Sequence, residues 1–112
     1  MGSPVRGGVL SDPRRKRGKS KGRSKLSAVR RRIDRLDARL LRLLNQRARL
    51  ALEIGRIKQR KKWPAFDARR ETLVLRHIAR ANRGPLSDRA VQQIFQTILT
   101  QCRRRQRRVT KQ

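Results

Sequence analysis

The sequence predicts an all-α fold: three helices per chain, one long and two shorter, completed by a second copy of the same chain. Three observations carry this. Apolar residues recur at helical spacing without strand-like alternation. Two good N-cap residues and a Gly-Pro turn divide that pattern into segments. The first segment is too long for one small domain to cover.

The first helix is expected over about 26–62. Val29, Ile33, Leu36, Leu40, Leu43, Arg47, Leu50, Ile54 and Ile57 step alternately by four and by three, a heptad-like seam apolar at every position but one. Pro64 ends it, because the proline ring disfavours a helical conformation in the residue before it. Asp67 is a good N-cap for a second helix reaching about 82. Gly84-Pro85 marks a turn, and Ser87 caps a third helix reaching about 106. Val91, Ile94, Phe95, Ile98 and Cys102 form one stripe of that helix. At about 1.5 Å per residue the first helix measures roughly 55 Å, whereas a domain of some 80 residues is only about 30 Å wide. Two shorter helices cannot cover such a seam, and a closed homodimer is the commonest way to do so.

Composition bounds the function. The 112 residues carry 34 Lys+Arg against 7 Asp+Glu, a net charge of +27, which makes polyanion binding the first class to test. Aromatics stand at 3% with no Tyr, so a base-stacking platform is poorly supplied. The lone Cys102 makes no intramolecular disulfide, and no Cys/His cluster is present to hold zinc, so no metal or cofactor is expected. No apolar run approaches the roughly 20 residues of a membrane span. The first residues show no apolar signal-peptide core, and the cytoplasm is the expected compartment.

The charge also divides the chain. Residues 1–25 hold nine basic residues against Asp12, a net of +8 without hydrophobic period, and read as a disordered basic arm. Residues 26–102 hold nineteen basic and six acidic residues, a net of +13, and residues 103–112 add six basic residues and no acid. The expected organisation is a basic arm over 1–25, a helical domain over 26–107 and a basic tail over 108–112.

Arg47 interrupts the apolar seam. A buried guanidinium is costly unless a carboxylate or a bound anion meets it. Either an internal ion pair or an external anion would satisfy that geometry. Lys58, eleven residues on, falls about 20° from Arg47 after three turns and shares its face. Two cations on one face, with few acids available, favour an external anion and suggest a pocket for a negatively charged small molecule.

Longer stretches then carry a family resemblance. LSAVRRRIDRLDARLLRLLNQRARLALEIGRIK (26–58), WPAFDARRE (63–71), NRGPLSD (82–88) and IFQTILTQCRRRQ (94–106) resemble, in order, the helices and turns of the all-helical chorismate mutases. Separated polar positions match as well as the helical pattern, over roughly 26–107. The resemblance implies an intertwined homodimer of three-helix chains. It implies that Arg30 reaches the second copy's site and that Arg47 holds a substrate carboxylate within its own chain. Lys58 and Gln106 would contact the ether oxygen of chorismate from two sides. Asp67, Arg70 and Glu71 match the cluster after the first loop, with Glu71 at the position that binds the substrate hydroxyl, and Cys102 stands where relatives have Ser lining the site.

Spacing agrees with several of these roles. Arg30 precedes Arg47 by seventeen residues, about 25 Å of helix and roughly 100° out of phase, so one chain cannot bring both to one pocket. Cys102 and Gln106 are one turn apart, as are Asp67 and Glu71. The implied reaction is the rearrangement of chorismate to prephenate, without nucleophile, metal or proton transfer. Arg103, Arg104 and Arg105 depart from the family pattern; like-charge repulsion among them works against the helix end carrying Gln106 and leaves the placement of Gln106 open. His77 is expected on the surface and Trp63 as a loop anchor. Two rival readings are an isochorismate-pyruvate lyase of the same fold and a basic helical nucleic-acid-binding protein using PRRKRGKSKGRSK (13–25). Nonspecific nucleic-acid affinity through the tails is expected as a by-product.

Overall fold

A computed structural model describes residues 20–110. It contains three helices in order, α1 (Ser20–Lys61), α2 (Ala68–Ala81) and α3 (Asp88–Thr110), and no strand among the described residues. None of the helices is long and apolar enough to cross a membrane. Most of the expected basic arm, residues 1–19, and the last two residues of the tail lie outside the described residues.

Two helix ends differ from expectation. α1 starts at Ser20 rather than near 26, so residues 20–25, assigned to the arm, are helical. They lack an apolar period, but Lys and Arg are good helix formers and only Gly22 works strongly against helix. α3 continues to Thr110 rather than stopping near 106. Repulsion among Arg103, Arg104 and Arg105 does not loosen it, because Arg and Gln propagate a helix well and Arg107 and Arg108 in its last turn face the negative end of the helix dipole.

α1 closes in a Schellman motif. Lys62 N–H donates to Gln59 O at 3.1 Å and Trp63 N–H to Lys58 O at 2.8 Å, with Lys62 in the left-handed region at φ 59°. Pro64 follows, where no helix could continue. Asp67 caps α2 as expected, its carboxylate accepting from Arg70 N–H at 3.0 Å. Ser87 Oγ accepts from Ala90 N–H at 3.0 Å and opens α3. Between them Asn82 organises the turn: its Nδ2 donates to Leu86 O and Asp88 Oδ1, both at 2.8 Å, and its Oδ1 accepts from Gly84 N–H at 3.1 Å. Gly84 sits at φ 77°, where a side chain would be strained.

The chain divides into two compact units, Met1–Leu43 and Leu44–Gln112. In the first, the described part is the opening of α1, and its seam side chains Val29, Ile33, Leu36, Leu40 and Leu43 are all exposed. In the second, α2 packs on α3, and Gln92 Nε2 ties α3 to Leu75 O at 3.3 Å. The core is small: Ala51 and Leu99 are each 7% exposed. Leu99 lies outside the expected stripe of the third helix, and Ile94, inside it, is exposed. The other stripe residues, Val91, Phe95, Ile98 and Cys102, are half-buried, and the face of α3 toward the cavity is the row Leu99, Cys102, Arg103 and Gln106, at spacings of three and four that a helix places on one side.

Candidate active site

A cavity of about 290 Å³ lies within the second unit. α1 contributes Arg47, Leu50, Ala51, Ile54 and Lys58 to its wall; the α1–α2 loop and α2 contribute Ala65, Asp67, Arg70, Glu71 and Val74; α3 contributes Leu99, Cys102, Arg103 and Gln106. Seven of the eight expected site residues thus meet at one place. The eighth, Arg30, is an exposed residue of the first unit and is not in this wall.

Each side chain has a local reason for its position. Arg47 is half-buried, donates from Nη1 to Cys102 Sγ at 3.7 Å, and pairs with no carboxylate among the described residues. Among the described residues the internal ion pair left open by the sequence is therefore not made, and the guanidinium has no counter-charge. Cys102 serves as its weak acceptor. Lys58, in the last turn of α1, gives one N–H to Ala65 O at 3.1 Å. An ammonium has three donors, so two remain for a ligand. Gln106 is 8% exposed, and its Nε2 donates to Ala51 O at 2.7 Å, which fixes the carboxamide at the cavity wall from a neighbouring helix.

The two acids have different surroundings. Asp67 is engaged at the start of α2 by Arg70 N–H. Glu71, one turn on, accepts from Arg103 Nη1 on both oxygens, at 2.9 and 3.2 Å. Arg103 Cζ also stands 4.6 Å from the centre of the Phe66 ring. Sequence reasoning assigns Arg103 only a disturbing role, yet it is part of the wall. The available signal is its helical spacing, four residues after Leu99 and three before Gln106. His77 is exposed, as expected. Trp63 is exposed too, its ring 5.8 Å from Lys61 Nζ, and it is not among the cavity residues.

The family description chorismate mutase type II matches residues 29–107, which span all seven cavity-lining site residues and Arg30. The chain belongs to the chorismate mutase type II family. A bifunctional chorismate mutase/prephenate dehydratase of Stutzerimonas stutzeri is 40% identical over 83 residues, 69% of this chain and 22% of the relative. One from Pseudomonas aeruginosa is 40% identical over 82 residues, again 22% of the relative. The chain thus spans about a fifth of the length of these bifunctional relatives. Among solved structures, a chorismate mutase from Thermus thermophilus superimposes with a TM-score of 0.74 at 32% identity, covering 75% of this chain and 96% of that one. The mutase fold thus extends over the helices that build the cavity.

Proposed function

We propose that the chain isomerises chorismate to prephenate, breaking one carbon–oxygen bond as one carbon–carbon bond forms. The observation that carries this reading is the convergence of Arg47, Lys58, Glu71 and Gln106 on one cavity in a member of the mutase family. Such a rearrangement needs no nucleophile and no proton transfer. Catalysis consists of holding the dianion in its compact reactive conformer and stabilising negative charge that develops on the ether oxygen.

The roles are those that the family resemblance implies, and the local geometry supports them. Arg47, without a carboxylate partner among the described residues, receives one substrate carboxylate. Lys58, anchored on Ala65 O, and Gln106, anchored on Ala51 O, address the ether oxygen. Because both are held before substrate arrives, little reorganisation is needed in the transition state. Glu71 accepts the substrate hydroxyl, Arg70 and Asp67 complete the rim, and Cys102 supports Arg47.

The working form is proposed to be an intertwined homodimer in the cytoplasm, with Arg30 supplied by the second copy to the other substrate carboxylate. Exposed apolar side chains along α1 support this, Leu36 and Leu40 in the first unit and Leu50 and Ile54 in the second; monomeric proteins rarely leave such a row uncovered. The exposed cations Arg104, Arg105, Arg107 and Arg108 on α3, with the basic arm, support a separate, salt-sensitive affinity for nucleic acid.

The test is incubation of the purified chain with chorismate and, separately, with isochorismate, with products identified by mass spectrometry and NMR. Prephenate from chorismate is expected. Salicylate from isochorismate with untouched chorismate would assign the lyase instead.

A further inference from the structure

The pair formed by Arg103 and Glu71 goes beyond the roles above, although its interpretation rests on the mutase reading. The cavity is lined by four cations, Arg47, Lys58, Arg70 and Arg103, and two carboxylates, Asp67 and Glu71. Asp67 is committed to capping α2. Glu71 meets a single nitrogen, Arg103 Nη1, with both oxygens. An ionised carboxylate offers about four lone-pair positions and no donor, so Glu71 keeps acceptor capacity after that contact. It repels the carboxylates of a dianion. The ligand group it can receive is a neutral donor, and on a small hydroxy acid that is the hydroxyl.

Arg103 is itself held. Its guanidinium stacks near the Phe66 ring at 4.6 Å, an arrangement that cation–π attraction favours. The Arg103 and Glu71 side chains are 21% and 18% exposed, so the contact is shielded far better than a surface ion pair. Phe66, Arg103 and Glu71 form a chain of contacts from the α1–α2 loop through α3 to α2, ending on an acceptor in the cavity wall.

We infer that Arg103 is a positioning residue that sets the site's preference for a substrate bearing a hydroxyl beside its carboxylates, by fixing the Glu71 carboxylate that accepts it. A cation that merely attracted dianions would help every dianionic substrate equally. Arg103 acts through Glu71, so its effect is confined to substrates that carry the hydroxyl.

The experiment compares kcat/KM of the full chain and its Arg103→Met, Arg103→Lys, Glu71→Gln and Arg103→Met/Glu71→Gln variants. The substrates are chorismate and an analogue whose ring hydroxyl is replaced by hydrogen. Arg103→Met is expected to lower kcat/KM for chorismate about 10- to 100-fold, the range of a charge-assisted contact. With the analogue, or in the Glu71→Gln background, the same change should cost less than about threefold. Arg103→Lys should recover part of the loss, keeping the charge without the planar fork. Phe66→Leu, at an exposed position, should show the same selective loss in milder form and serves if Arg103→Met fails to fold. Equal losses with both substrates, equal losses in both backgrounds, or no loss would overturn the assignment. A parent chain that converts no chorismate would sink the mutase reading itself, an outcome distinct from a parent that is active but unselective.

Discussion

Residues 20–43 and residues 44–61 continue one helix and one apolar seam, yet they meet different fates. In the second stretch α2 and α3 belong to the same unit, Ala51 is buried, and Arg47 and Lys58 line a cavity. In the first stretch the seam residues from Val29 to Leu43 are exposed. The same pattern of fours and threes therefore specifies a surface to be covered and leaves open what covers it. Within the chain, α2 and α3 join Arg47, Ala51 and Lys58 in the cavity wall, yet the seam residues Leu50, Ile54 and Ile57 stay exposed there too. Burial of the exposed seam is the reason to expect a second copy, since uncovered apolar surface of that extent drives association.

Changes on the two stretches should fail differently. The largest effect belongs to the second: Lys58→Ala is expected to lower kcat about 10²- to 10³-fold, the usual cost of one preorganised donor. Its helix content and its mass in solution should be unchanged by circular dichroism and light scattering. Leu36→Glu breaks the first stretch: in the proposed homodimer it places an unpaired charge at the seam, which should raise the dissociation constant about a hundredfold or more. Sedimentation should then report monomers, with activity recovering as chain concentration rises. A Leu36→Glu chain that remains dimeric and active would erase the distinction between the stretches.

Smaller changes sharpen it at the joints that hold the cavity. Asp67→Ala removes the α2 cap and is expected to cost about 1 kcal/mol, read as a lower Tm at fixed chain concentration. Lys62→Gly relieves a left-handed non-glycine residue at the end of α1 and should add roughly 0.5–1 kcal/mol, with activity unchanged. If Lys62→Gly lowered activity, the α1 end would be helping to place Lys58 in a way the Schellman contacts do not explain.

What can be read from the sequence is local. Pro64, Asp67, Ser87 and Gly84-Pro85 act on the backbone within a few residues, so their turns and caps stand where spacing puts them. Arg47 is legible because a cation in an apolar seam is a conflict that only a partner resolves. The pair between Arg103 and Glu71 is not, because 32 residues separate them and only the packing of α2 on α3 brings them together. The helix ends at Ser20 and Thr110 lie beyond the expected ones for a different reason. Charge repulsion and a missing apolar period argue for shorter helices, but the helix propensity of Lys, Arg and Gln prevails in both places. The end of α1 at Lys61 falls where Pro64 predicts it; only its cap geometry is hidden, since the left-handed position is Lys62 and not the glycine that signals such caps.

The central claim is that each cavity is completed by Arg30 from a second copy. It is tested most directly by complementation. Arg30→Ala and Lys58→Ala chains, each nearly inactive alone, are mixed in equal amounts, dissociated and reassembled, and chorismate turnover is measured. A site shared between copies predicts return of about a quarter of parental activity, because half the dimers are mixed and each mixed dimer holds one intact site of two. A mixture as inactive as its components, or an Arg30→Ala chain that is fully active alone, would contradict it.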